Sequence, residues 1–150
     1  MHRALLAVWL VATAFVNDAM AGPLEDATAA YASGDYGTAM KLLETLANQG
    51  NAVAQDNLGL LYAEGRGVVR DDAEAVKWFR RAAEQGVADA QTKLGLMYLD
   101  GRGVGRDNAA AARWWGLAAE QGDTQAQYNL GVAYENCEGV EQSDDEAAEA

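Results

Sequence analysis

LGLLYAEGRGVVRDDAEAVKWFRRAAEQG, residues 58–86, returns as LGLMYLDGRGVGRDNAAAARWWGLAAEQG, residues 94–122. Extended to residues 52–87 against 88–123 without a gap, the two windows are identical at 21 of 36 positions. Self-similarity at a fixed period decides the architecture before any single element is assigned, because each copy must be one structural unit packed on the next. The frame runs forward through Ala126, Gln127, Leu130, Gly131, Tyr134 and Gly139, and backward to Asp35, Ala39, Ala47, Gln49 and Gly50.

Inside one unit, Ala54, Leu58 and Tyr62 recur at helical spacing and predict a first helix over residues 52–64. Gly59 in its middle costs about 1 kcal/mol of helix propensity, so its return at Gly95 calls for a close approach of the second helix. Gly65-Arg66-Gly67-Val68 breaks that helix, and Asp71 with Glu74 predicts an N-cap and capping box for a second helix reaching about Gln85. Its apolar stripe is Ala75, Trp78, Phe79 and Ala82, and Gly86 supplies the left-handed residue after it. Trp78 and Trp114 share one register and are expected to pack between neighbouring units, with Trp115 less committed to the core.

A helical pair of this size cannot bury its apolar face alone, so the units must stack into an array with contacts between neighbours. The expected fold class is all-α, an α-α superhelix or solenoid of about three helix-turn-helix repeats with period 36. Residues 22–50 read as a degenerate N-terminal pair turned at Gly34, residues 51–140 as the repeats, and residues 141–150 as an acidic tail or truncated repeat. Composition agrees: 150 residues suit one domain, half of them are hydrophobic, and 16 glycines stand against one proline and no isoleucine.

Residues 1–21 carry a different message. His2 and Arg3 precede the apolar run 4–16, and Ala19-Met20-Ala21 places small residues where a signal peptidase cuts. A run of that length falls short of the roughly 20 residues that cross a bilayer, so a cleaved leader and a periplasmic or secreted product are expected, with no membrane span after cleavage.

The net charge of −12 disfavours nucleic acid as a partner. His2 is the one histidine and leaves with the leader, so Ser-His and Cys-His catalysis have no base. Asp71-Asp72 sits at a helix start and 144–146 at the chain end, which fits capping and solvation; no cofactor or metal is expected. The GRGV loops lack the lysine and hydroxyl of a phosphate cradle and read as turns, their Arg66 and Arg102 solvated or paired with Asp71 and Asp107. Cys137, without an intramolecular mate, could link two chains as a disulfide dimer.

The LGxxY start, GxGV turn, aspartate cap, tryptophan and AAxQG end resemble the Sel-one-like repeat, a branch of the tetratricopeptide-type helical arrays. That resemblance implies a non-enzymatic scaffold binding proteins or peptides, some exported relatives regulating envelope and polysaccharide pathways. A cysteine-rich exported subgroup is linked to β-lactams through paired cysteines, and Cys137 alone departs from that pattern. The alternatives are a cell-wall or β-lactam-related envelope enzyme and a truncated structural repeat fragment.

Positions that must pack are repeated, whereas positions that meet a ligand are free to differ. On the first helices the differing set lies one face away from the Leu-Gly-Tyr stripe, toward the expected concave groove. It nominates Asp56, Asn57, Glu64, Thr92, Lys93, Asp100, Tyr128 and Asn136 as partner contacts. The carboxylates among them predict a basic protein or peptide.

Overall fold

The computed structural model describes residues 22–136, and among them every regular element is a helix. The helices are α1 (22–32), α2 (Tyr36–Asn48), α3 (Ala52–Glu64), α4 (Asp72–Glu84), α5 (Ala88–Asp100), α6 (Asn108–Glu120) and α7 (Thr124–Glu135). The main backbone contacts run between consecutive helices from α2 to α7. The chain is an all-α solenoid of stacked helical pairs. The expected leader, Cys137 and the acidic end fall outside the described residues.

Helix starts follow the aspartate signal. Asp71 accepts from the Glu74 amide at 3.0 Å, and Asp35 and Asp107 cap α2 and α6 in the same way. The expected capping box is only half made. The Asp71 amide donates to the Tyr62 carbonyl at 3.0 Å, tying the loop to α3, and Glu74 pairs with Lys77.

Gly59 is explained by a ring rather than by backbone alone. A Cβ there would stand 2.7 Å from Phe79, and one at Gly95 would overlap the indole of Trp115. Trp115 stands 36 residues after Phe79, so the two aromatic rings are the same knob seated on the same glycine. The tryptophan expectation holds in part: Trp78 and Trp114, half-buried, do lie against the preceding cluster, whereas Trp115, expected to be less committed to the core, is 3% exposed. The glycine leaves room for one ring only, and that ring comes from the position after the repeated tryptophan.

The GxG turn also packs between units. Gly67, at φ +72°, lies against the Tyr36 carbonyl at the start of α2, and Gly103, at φ +69°, lies against the Asp72 carbonyl at the start of α4. Arg102 reaches back from that turn to Asp72 at 3.0 Å, not to Asp107. Arg66 pairs with Glu64 at 3.0 Å, not with Asp71, and lies over the rings of Tyr31 and Tyr36 while donating to both hydroxyls. The caps keep Asp71 and Asp107 occupied. Hydrogen bonds from Arg102 and Arg70 hold the Asp72 carboxyl below the usual carboxylate range.

A glutamine relay stitches the helices. Buried Gln55 donates to the Ala47 carbonyl and accepts from Gln85; one repeat on, Gln91 donates to Ala83 and accepts from Gln121. Each buried amide is satisfied by a partner in another helix, which fixes the register of stacking.

Candidate partner-binding face

The odd-numbered helices α1, α3, α5 and α7 form one side of the stack. Of the eight nominated residues, the structure turns some inward. Asp56 is 6% exposed and Thr92 4%, so neither offers its side chain to a partner. Asp56 is held by Lys93 Nζ at 2.8 Å, and Lys93 also reaches Asp89 at 2.7 Å. Two residues nominated as independent contacts are therefore one ion pair across the α3–α5 seam. Their position one face from the core stripe is, in the stack, the seam itself, because the next first helix covers it.

Burial pushes the Asp56 carboxyl above the usual carboxylate range, outweighing the attraction of Lys93. Burial by itself would lower the Lys93 ammonium, but Asp56 and Asp89 together more than offset that and raise it. Lys93 Nζ also lies 5.7 Å from the Phe79 ring centre, so the lysine is held by charge on one side and by an aromatic face on another.

The remaining nominees are accessible to different degrees. Glu64 is exposed but engaged by Arg66 and by the Tyr31 hydroxyl at 3.4 Å. Asp100 and Asn136 are exposed at the C-terminal ends of α5 and α7. Asn57 is half-buried in the wall of a hollow of about 90 Å³ between α1 and α3, whose floor includes Ala27, Leu43 and Leu60. Tyr128, 69% exposed, borders a second hollow of about 120 Å³ between α5 and α7, with Leu96, Leu99, Trp115, Asn129 and Val132.

Sequence reasoning missed Leu60, Leu96 and Val132. They occupy one register, 36 residues apart, and remain only partly covered, Leu96 at 38% and Val132 at 36%. The signal was present: an apolar residue repeated on the first helix beside the packing stripe, passed over because contacts were sought only at positions that differ between repeats. Exposed apolar side chains at the rim of a hollow are what a partner can cover.

Among the described residues no cluster of three or more His, Cys, Asp or Glu side chains is placed to hold a metal ion. No helix among them is long and apolar enough to cross a membrane.

A succession of stacked helical pairs, glycine-seated rings and a fixed period of 36 define a helical-repeat scaffold. The family model described as Sel1 repeat matches residues 29–51, 52–87, 88–123 and 124–149, so the chain belongs to the Sel1 repeat family. Repeats of this family generally mediate protein–protein interactions. The chain is similar to a protective antigen present in uropathogenic Escherichia coli strains that displays an SLR fold, at 38% identity and TM-score 0.78 over 85% of this chain. It is also similar to a Sel1 repeat protein from Oxalobacter formigenes, at 40% identity and TM-score 0.68 over 71% of this chain. It spans 28% and 44% of those two chains. No curated protein matches it.

Proposed function

We propose that this protein is an exported, non-catalytic adaptor of the bacterial envelope, periplasmic or secreted, that captures a partner protein on the face built by α1, α3, α5 and α7. The observation that carries the reading is the pair of hollows on that face, each rimmed by residues of the Leu60–Leu96–Val132 register. Stacking leaves these apolar edges uncovered while it satisfies the buried glutamines and the caps. Export is supported by the cationic start, the apolar run 4–16 and the Ala19-Met20-Ala21 site. The protective-antigen description of the E. coli neighbour fits a location outside the cytoplasm. Binding alone is the mechanism: apolar burial supplies affinity, and the acidic surface quickens encounter with a basic partner.

The test places a photoreactive amino acid at Leu60, Leu96 or Arg113 in the exported chain of living cells and identifies the crosslinked product. A discrete envelope protein captured from Leu60 or Leu96 and not from the α6 position Arg113 is the expected result. Capture from Arg113 alone, or a leader retained on a cytoplasmic product, overturns the reading. Turnover of a reporter β-lactam by the purified chain above a buffer blank would replace the adaptor with the enzyme alternative.

A further inference from the structure

Buried polar atoms are nearly always paired, so an unpaired one marks either strain or a partner still to come. The seams α3–α5 and α5–α7 correspond residue by residue, Asp56 to Thr92 and Lys93 to Asn129, each 36 positions on. At the first seam the Lys93 ammonium closes the space onto Asp56. At the second, Thr92 Oγ1 and Asn129 Nδ2 are buried and have no hydrogen-bond partner among the described residues. Asn129 Oδ1 already accepts from Gln125 Nε2 at 2.9 Å, so what the residue still offers is a donor. Asn129 also lines the 120 Å³ hollow, beside Leu96, Tyr128 and Val132.

We propose that the α5–α7 hollow is the docking site for an extended peptide segment of a partner protein, with one apolar side chain entering against Leu96 and Val132, a main-chain carbonyl accepting from Asn129 Nδ2, and basic residues on its flanks. The proposal rests on the protein-binding reading above and names the site and the chemistry of its occupant. Size selects a single side chain: a hollow of about 120 Å³ has room for one side chain and not for a backbone as well. The free donor selects extended backbone, because carbonyls inside a helix are consumed by the helix itself while an extended segment leaves its own available. Charge selects basic flanks. Asp100 and Glu135 are exposed at the C-terminal ends of the two helices, while Asp89 and their one lysine, Lys93, are already paired.

The experiment selects linear peptides from a random phage-displayed library against the full chain and measures the recovered synthetic peptides by fluorescence anisotropy. The expected peptides carry one large apolar residue between lysines or arginines. Asn129→Leu, which keeps the volume and removes the donor, weakens them about tenfold, and Val132→Glu weakens them further. Arg113→Ala, on α6 away from this face, leaves the affinity unchanged, and circular dichroism confirms equal helicity in every variant; Asn57→Leu is the same register on α3. Affinity that falls with Asn57→Leu and not with Asn129→Leu moves binding to the α1–α3 hollow and overturns this site while the scaffold reading stands. Affinity that rises on deleting residues 137–150 identifies the chain's own end as the occupant, and a dimer in sedimentation that Val132→Glu abolishes identifies a second copy; either overturns the proposal. Recovery of no peptide overturns the extended-segment occupant alone, since crosslinking in cells reports protein capture independently.

Discussion

The seams α3–α5 and α5–α7 are built on the same frame and end in different states. Both seat an aromatic ring on a helical glycine, Phe79 on Gly59 and Trp115 on Gly95. At the first, Lys93 bridges Asp56 and Asp89; at the second, Thr92 and Asn129 occupy the same register, and one buried polar atom of each has no partner among the described residues, that of Asn129 beside a hollow. The repeated residues set the spacing of the helices. The variable ones decide whether the resulting gap is closed from within or left for something else.

The largest effects test the shared frame. Trp115→Ala should cost about 3–5 kcal/mol in chemical denaturation, as should Phe79→Ala, while Trp78→Ala costs less because that ring is only half-buried. A greater loss at Trp78 than at Trp115 would return the knob to the repeated tryptophan.

Next comes the glycine contrast. Gly59→Ala drives a methyl into Phe79 and should destabilise by about 1–3 kcal/mol. Gly131, the same register on α7, has no such neighbour among the described residues, so Gly131→Ala should instead add about 0.5–1 kcal/mol through helix propensity. Equal signs for the two, read from thermal or urea midpoints, would break the assignment of these glycines to ring seats.

The seam chemistry gives smaller differences of opposite sign. Asp56→Leu leaves Lys93 with Asp89 alone and should cost about 1–3 kcal/mol, below the figure for a fully enclosed pair because the lysine keeps a partner. Thr92→Val removes a buried hydroxyl that has no partner among the described residues and should stabilise by about 0.5–1 kcal/mol. If Thr92→Val destabilises as Asp56→Leu does, the second seam is as self-satisfied as the first.

The smallest effect is in pH. The Lys93 ammonium is raised in the fold, so its contribution is complete below the ordinary lysine range and is lost as pH climbs through the raised value. Wild type should lose melting temperature across that alkaline window more steeply than Lys93→Met. Asp56 acts at the other end: burial favours its protonated form, so acidification through its raised range relieves a cost instead of removing a gain. Matching pH profiles for wild type and Lys93→Met would show that the bridge is not coupled to folding.

Much of the fold was legible because the signals were local or periodic. The bounds of α3, the Asp71 cap and the Gly34 turn follow from spacing, capping chemistry and positive φ, none of which needs a distant residue. The candidate face was legible only in part. Asn57 and Tyr128 do border hollows, yet Asp56 and Lys93 meet each other, and the exposed register Leu60, Leu96 and Val132 went unread because contacts were sought only at positions that differ between repeats. Arg102 found Asp72 in the preceding unit and not the aspartate nearest in its own loop. Each of these outcomes depends on which side chain of one repeat reaches which of the next.

By itself the sequence determined the period, the helical pairs, their caps and turns, and the presence of a glycine seat, since these follow from backbone conformation and the spacing of apolar residues within one unit. Only the tertiary structure decided which ring fills the seat, which seam an ion pair closes, and which donor is left unpaired beside a hollow. Those choices depend on distances of a few ångströms between side chains some 36 residues apart, and no single repeat contains both partners.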